Sequence, residues 1–216
     1  LETPDRDALE SWVETVAVAG GDSQVRVMVT GGGRDPMVAA APRTVVMWEP
    51  LPTVNEPMRL MPLDAPWHPG AATGPFFAVK WLSYAPNMAS ADLARASGFD
   101  DALLLSRDGW VIEGPTFTVA WVRDGALETP TLDLGILASI TRHVVLKEAA
   151  AMGLEVREGR FPLERMRTAD EAMGLSTLKE VLRIGAVGDA EIPTGPVTER
   201  LRAAYAATVA AETAGR

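Results

Sequence analysis

Short turn signals divide most of this chain into brief segments. Asp108-Gly109 and Asp124-Gly125 each stand between two apolar runs, which is the pattern of a β-hairpin. Helical stretches lie between these hairpins, without the regular alternation of strand and helix that builds a doubly wound sheet. The sequence therefore predicts an α+β fold of mixed helices and strands, and it excludes a doubly wound one.

The length of 216 residues suits one large or two small domains. The first fifty residues contain one helical stretch and two strand-like stretches, and proline and glycine then recur up to Pro75. We predict the remainder of a small α/β domain at residues 1–60, a linker at residues 61–75 and a large domain at residues 76–216. Because the chain opens at Leu1 rather than methionine, we also expect that upstream residues are missing.

Composition excludes several classes of protein. There is no cysteine, so disulfides, thiol catalysis and cysteine metal sites are excluded, and we expect no metal. The net charge of −9 argues against binding to a phosphate backbone. No apolar run approaches the roughly 20 residues that a membrane span needs. We therefore expect a cytoplasmic protein that binds neither nucleic acid nor membrane.

Amine chemistry has three side-chain candidates, because the chain contains only the lysines Lys80, Lys147 and Lys179. Lys147 and Lys179 each stand beside a glutamate, and we expect both to face solvent. Lys80 lies in an apolar run, in a strand predicted to begin near Phe76. A lysine forced towards neutrality there is a good nucleophile for carbonyl groups. The alternative is an edge-strand lysine whose amine reaches water.

Two other side chains near apolar runs have both a functional and a structural interpretation. Tyr84 follows Lys80 by four residues and shares its face, so its phenol could contact a cofactor bound at the lysine. Glu113 ends the run Trp110–Ile112 and could keep the ring nitrogen of pyridoxal phosphate protonated. The alternatives are an ordinary interfacial tyrosine and a solvated hairpin glutamate.

A candidate phosphate site lies at the start of the helix predicted over residues 139–152. Free backbone N–H groups at a helix N-terminus attract phosphate, and Ile140, Thr141 and Arg142 occupy that position. Simple capping by Ser139 or Thr141 is the alternative. A Ser-Thr pair at residues 176–177 follows a predicted strand and could add hydroxyl groups to the same phosphate.

Five motifs follow one another along the chain: KWLSY (80–84), DGWVIEG (108–114), GALETP (125–130), GILASITR (135–142) and ADE (169–171). In this order and spacing they resemble the class IV aminotransferases, the fold-type IV group of pyridoxal-phosphate enzymes. That family includes branched-chain and D-amino-acid aminotransferases, R-selective amine transaminases and aminodeoxychorismate lyases. The resemblance covers about residues 80–205, with a looser match over residues 25–51.

The resemblance implies a role for each matching residue. Lys80 corresponds to the lysine that forms the internal aldimine with pyridoxal phosphate, Tyr84 to a group near the ring oxygen, and Glu113 to the partner of the ring nitrogen. The residues that correspond to phosphate contacts are Ile140, Thr141 and Thr177. The resemblance further implies a two-domain fold with the cofactor between the domains, a small N-terminal domain that is truncated here, and a homodimer.

Several positions depart from the family pattern close to the expected substrate pocket. Thr118 replaces an asparagine, and Leu178 and Lys179 replace small residues. The resemblance implies an aminotransferase that moves an amino group between an amino acid or amine and a keto acid. One alternative is an aminodeoxychorismate lyase, which releases 4-aminobenzoate and pyruvate. Another is a non-catalytic homologue, which Leu178, Lys179 and Arg183 would favour.

Overall fold

The computed structural model describes residues 4–32, 41–68, 70–71 and 79–214. The chain divides into two compact units, Leu1–Thr53 and Val54–Arg216. The first unit contains helix α1 (Arg6–Gly20) and an antiparallel pair of strands, β1 (Ser23–Thr30) and β2 (Arg43–Pro50). Asp5 caps α1 by accepting the N–H of Ala8 at 2.9 Å. The helix and the two strands expected in this part of the sequence are therefore confirmed.

The second unit is built on one mixed sheet. Its strands are β3 (Met58–Asp64), β4 (Asp101–Leu105), β5 (Thr118–Arg123), β6 (Ala126–Pro130), β7 (Glu155–Gly159), β8 (Glu171–Ser176), β9 (Glu180–Val187) and β10 (Ala190–Glu191). Its helices are α2 (Ala85–Ala96), α3 (Ile140–Ala151), α4 (Leu163–Arg167) and α5 (Pro196–Thr213). The strand order is β4-β3-β9-β8-β5-β6-β7, with β10 paired to β9. Strand β3 is parallel to both neighbours, β6 is parallel to β7, and the other pairs are antiparallel. The α+β class is confirmed.

Strand β3 corrects the predicted linker. The sequence predicts a connection at residues 61–64, yet Met58–Asp64 lie inside the sheet, where Leu60 pairs with Asp101 of β4 and Val187 of β9. Met58 and Leu60 are buried. The recurring prolines of the local sequence indicate only a connection here. The strand is defined instead by its pairing partners, which lie about 40 and 127 residues further along the chain. Pairing between such distant segments cannot be predicted from the local sequence.

The segment around Lys80 also differs from its prediction. Residues 76–78 of the predicted strand lie outside the described residues, and residues 79–84 have neither strand nor helix conformation. No described strand pairs with them. Helix α2 begins directly afterwards, at Ala85, with Pro86 in its first turn. Lys80 therefore lies in an irregular lead-in to a helix rather than in a strand.

The remaining predicted elements are close to the observed ones. The hairpin around Asp124-Gly125 is confirmed, with Trp121 opposite Glu128. Around Asp108-Gly109 the chain also folds back, and Ser106 N–H donates to the Trp110 carbonyl at 2.9 Å. The sequence predicts helices over residues 86–97 and 139–152, and α2 and α3 match them to within two residues.

Buried apolar side chains on the sheet fix the two helices that matter for the site. One cluster includes Ala94 of α2 together with Leu104 and Ile112. A second cluster includes Val145 of α3 and Leu201 of α5. The N-termini of α2 and α3 are thereby held on a packed sheet rather than on loops. Within the described residues, no helix has both the length and the apolar character that crossing a membrane requires.

Candidate active site

Glu113 is a nearly buried carboxylate. Its backbone carbonyl accepts the N–H of Leu104 in β4 at 2.9 Å, so the sheet sets its position. The side chain is 15% exposed. Oε2 accepts the N–H of Leu137 at 3.4 Å, and Oε1 lies 3.7 Å from Nε2 of His68. This environment is unlike that of a solvated hairpin glutamate, because burial of a charge is costly unless polar groups surround it.

The loop after Glu113 is fixed by the packing of an aromatic ring on a glycine. Gly114 N–H donates to the Phe117 carbonyl at 2.8 Å. A Cβ on Gly114 would lie 2.2 Å from Cζ of Phe117, so no larger residue fits without moving the ring. The ring thus closes the turn that carries Glu113.

The N-terminus of α3 has two backbone donors ahead of its first intrahelical bond. Ser139 Oγ accepts the N–H of Arg142 at 3.2 Å, and the Ser139 carbonyl accepts the N–H of His143 at 3.0 Å. The N–H groups of Ile140 and Thr141 precede both of these and have no partner within the helix. Capping by Ser139 and an anion-attracting N-terminus therefore coexist. The helix dipole adds to the positive potential at this end.

Arg142 holds this helix end to the sheet. Its guanidinium is 6% exposed and donates to the Pro130 carbonyl at 3.0 Å and to Glu158 Oε2 at 2.5 Å. Nε lies 3.4 Å from Thr129 Oγ1. These partners belong to β6 and β7, so α3 is anchored within one turn of its start. The third residue of the Ile-Thr-Arg motif therefore has a structural function here.

The Leu137 amide joins Glu113 to the α3 N-terminus. Leu137 stands three residues before Ile140, in the loop that leads into the helix, and its N–H points to Glu113 Oε2. Two features that the sequence suggested separately, a carboxylate and an anion-attracting helix end, therefore belong to one connected piece of structure.

Lys80 and Tyr84 lie close together, although residues 79–84 form neither the strand nor the helix in which the sequence predicts a shared face. Lys80 Nζ lies 5.4 Å from the centroid of the Tyr84 ring. Lys80 is exposed and Tyr84 is half-buried, at the residue before α2. The contact places the only amine of this segment beside the Tyr84 ring.

Asn87, which the sequence analysis missed, connects α2 to the Glu113 loop. Its Nδ2 donates to the carbonyl of Pro115 at 3.1 Å, and its Oδ1 accepts from Nε1 of Trp67 at 3.1 Å. The start of α2, directly after Lys80 and Tyr84, is thus tied to a residue two positions beyond Glu113. The available signal was an asparagine in the first turn of a predicted helix, where that residue is a weak helix former.

The turn between β8 and β9 carries three of the predicted contacts. Thr177 and Leu178 are exposed, and Ser176 Oγ accepts the N–H of Lys179 at 3.0 Å. Thr118, by contrast, is buried in β5, and its hydroxyl donates to the Leu175 carbonyl at 3.2 Å. The Thr118 hydroxyl is therefore used within the sheet.

Lys179 is not solvated, and the expectation that it faces water was wrong. Its side chain is 12% exposed, and Nζ lies 3.0 Å from Asp101 Oδ2 and 3.9 Å from the centroid of the Phe117 ring. Burial lowers the pKa of the Lys179 ammonium, the Asp101 carboxylate opposes that shift, and Arg95 adds to it. The neighbouring Glu180 suggested solvent, but the tight turn, in which Glu180 has φ 51°, directs Lys179 inward.

Comparison with known proteins identifies the family. The family described as amino-transferase class IV matches residues 2–187. The chain belongs to this family. It is 30% identical over 190 residues to a putative branched-chain-amino-acid aminotransferase of Methanocaldococcus jannaschii, covering 84% of this chain and 65% of that protein. It is 38% identical over 82 residues to the aminodeoxychorismate lyase of Bacillus subtilis, covering 38% of this chain and 28% of that enzyme.

A solved structure confirms the fold. A hypothetical aminotransferase from Mycobacterium tuberculosis, in its α-ketoglutarate- and PMP-bound form, superposes with a TM-score of 0.86 at 25% identity, over 98% of this chain and 78% of that one. The predicted class IV aminotransferase resemblance is therefore confirmed. The chain spans no more than 65% of the length of these two curated relatives.

Proposed function

We propose that this chain is part of a pyridoxal-phosphate-dependent aminotransferase. The observation that carries the proposal is the link through Leu137, which joins the buried carboxylate of Glu113 to the α3 N-terminus. Pyridoxal phosphate needs one carboxylate at its ring nitrogen and one cradle of donors for its phosphate. The residues present fit both ends of that cofactor, and family membership supports the same assignment.

Lys80 would hold the cofactor through its Nζ. When bound, pyridoxal phosphate supplies a carbonyl group that reacts with an amine, and a ring that withdraws electrons from the amino compound attached there. The amine of Lys80 would accept the proton from the α-carbon of the amino donor and hold it at Nζ for return. Its exposure and its position before α2 leave Nζ accessible from outside the packed sheet.

The other predicted residues would hold the cofactor without chemical change. The Glu113 carboxylate would balance the positive charge of the protonated ring nitrogen, and the Tyr84 hydroxyl would donate to the ring oxygen. The N–H groups of Ile140 and Thr141 would bind the phosphate, with Thr177 as a further contact from the β8–β9 turn. The buried surroundings of Glu113 strengthen its interaction with a cation.

The proposed substrates are an amino acid or amine as donor and a keto acid as acceptor. Leu178 is an exposed apolar side chain on the same turn as Thr177, which supports a place at the substrate pocket. Thr118 and Lys179 are already bonded to Leu175 and Asp101, and we propose that they shape the pocket indirectly. A homodimer and a cytoplasmic location stay predictions.

The second candidate is an aminodeoxychorismate lyase. The observation that favours it is local sequence identity. The chain is 38% identical to the Bacillus subtilis lyase over 82 residues, compared with 30% identity to the archaeal relative over 190 residues. A lyase would release pyruvate without any keto acid acceptor, whereas an aminotransferase requires one. The two candidates share the cofactor and the lysine, so cofactor binding alone does not separate them.

The experiment is a visible absorption spectrum of the full-length protein with added pyridoxal phosphate, before and after a panel of amino donors. We expect a cofactor band that loses intensity with one class of donor and recovers when a keto acid is added. A band that responds to no amino donor, together with pyruvate release from aminodeoxychorismate, would support the lyase. Absence of any band would contradict the proposed function and leave a non-catalytic homologue.

A further inference from the structure

His68 lies beside Glu113, and no sequence motif pointed to it. It lies in the loop after β3, and its own N–H donates to the Ala65 carbonyl at 2.9 Å, which fixes the backbone there. The imidazole is 10% exposed, and Nε2 lies 3.7 Å from Glu113 Oε1. The adjacent residue, Trp67, donates to Asn87 of α2 at 3.1 Å. The loop is therefore hydrogen-bonded to α2 and lies beside the Glu113 carboxylate.

The hydrogen bond on the far side of the ring determines which nitrogen of His68 carries the proton. Gly70 N–H donates to Nδ1 at 3.3 Å, so Nδ1 acts as an acceptor. In a neutral imidazole one nitrogen accepts and the other donates, so the proton is on Nε2, the nitrogen that faces Glu113. The two oxygens of Glu113 then face one donor each, the imidazole at Oε1 and the Leu137 amide at Oε2.

We infer that His68 is a positioning residue that holds the Glu113 carboxylate in place for the ring nitrogen of the cofactor. The inference rests on the proposed function, and it adds a residue to that site. The separation of 3.7 Å is longer than a hydrogen bond, and such contacts commonly tighten when the ligand is bound. At hydrogen-bond distance this contact would restrain the carboxylate more than ordinary packing does, because hydrogen bonds to an ionised carboxylate are stronger than neutral ones.

Two substitutions test the contributions of the two ring nitrogens of His68 separately. In His68→Asn the amide occupies the place of Nδ1 and keeps the Gly70 contact, but nothing reaches Glu113. In His68→Gln the amide nitrogen reaches the place of Nε2 and can donate to Glu113. His143 is the only other histidine and is exposed on α3, so His143→Asn is the matched control.

The measurements use the full-length protein loaded with pyridoxal phosphate. They are the dissociation constant of the cofactor and the ¹⁵N NMR shift of its labelled ring nitrogen, which reports protonation independently of turnover. We expect His68→Asn to weaken cofactor binding about tenfold and to move the ¹⁵N shift toward that of Glu113→Gln. His68→Gln and His143→Asn should stay near the wild type.

The outcomes separate this inference from the proposed function. If Glu113→Gln moves the ¹⁵N shift and a folded His68→Asn does not, His68 has no positioning role, while the function of Glu113 stands. If both His68 variants lose binding equally with an unchanged ¹⁵N shift, the residue only supports the loop, and the inference is overturned. If the wild-type protein binds no pyridoxal phosphate, the proposed function fails and this inference fails with it.

Discussion

Lys80 and Lys179 lie in opposite surroundings, each the reverse of what its sequence neighbours suggest. Lys80 stands in an apolar run but is exposed, and no carboxylate in the described ranges lies within ion-pair distance of its amine. Lys179 stands beside Glu180 but is buried, bonded to Asp101 and stacked on Phe117. A lysine with a perturbed pKa is often a functional residue. Here the lysine with the lowered pKa is buried against Asp101, and the accessible one is the proposed nucleophile.

The largest expected effect concerns the exposed lysine. Lys80→Ala should lower turnover by at least about 10³-fold, because the amine that holds the cofactor and moves the proton is removed. The free energy of unfolding should change by less than about 0.5 kcal/mol, because the side chain is exposed. Steady-state kinetics and urea unfolding measure the two quantities. Lys147→Ala, at an exposed lysine of α3, is the control, and a Lys80→Ala protein with normal turnover would show the assignment to be wrong.

The buried lysine should behave in the opposite way. Lys179→Met removes one partner of a buried ion pair and leaves Asp101 without its cation, which should lower the free energy of unfolding by about 3 kcal/mol. For a chain of this size that corresponds to a fall in Tm of roughly 6–12 °C.

The double variant Lys179→Met/Asp101→Asn tests the reason for that loss. It leaves no buried charge at this place, so most of the stability should return. If the double variant is as unstable as Lys179→Met, the lost packing of the lysine side chain, rather than the stranded carboxylate, is responsible.

A smaller effect comes from the aromatic ring under Lys179. Phe117→Leu should weaken the fold through both packing and loss of the cation–π contact. A double-mutant cycle with Lys179→Met isolates the second contribution, which we expect to be about 1 kcal/mol. Phe161→Leu is the comparison, because that ring contacts Trp121 instead. A coupling energy of zero between Phe117 and Lys179 would contradict a cation–π contribution.

The smallest expected effect is a pH dependence of stability. The folded-state pKa of Lys179 lies below its ordinary value of 10.5, chiefly because of burial. Between these two pKa values the unfolded chain binds more protons than the folded chain, so the free energy of unfolding rises with pH through that window. Below the folded-state pKa both states are protonated and this contribution is constant.

Urea unfolding of the wild type and of Lys179→Met/Asp101→Asn from pH 7 to pH 10.5 measures this dependence. The difference in free energy between the two proteins should move in favour of the wild type as the pH rises. A difference that is independent of pH over this range would mean that Lys179 does not titrate differently in the folded and unfolded states.

Local sequence patterns predicted the elements that have local causes. The Asp124-Gly125 hairpin and the α3 helix both follow from turn residues, caps and periodicity within a few positions. Strand β3 was not predicted because it is stabilised by pairing with β4 and β9, which are distant along the chain. The same reason applies to Arg142, whose partners Pro130 and Glu158 come from two different strands.

The same distinction between local and distant causes applies to the candidate site. The residue types and their order were enough to select Lys80, Tyr84, Glu113 and the Ile140-Thr141 pair, because the family motifs are contiguous. The side chains around these residues were not selected. His68 and Asn87 carry no motif, and each reaches a partner at least 28 residues away in sequence.

The sequence by itself determined the class of fold and the family and indicated the residues proposed to carry the chemistry, because these depend on short patterns of apolar, turn and motif residues. Only the tertiary structure decided which lysine is buried, how Glu113 is joined to α3 and what surrounds each carboxylate. The physical reason is that burial and hydrogen bonding depend on atoms brought together by the sheet, and most of those atoms are distant along the chain.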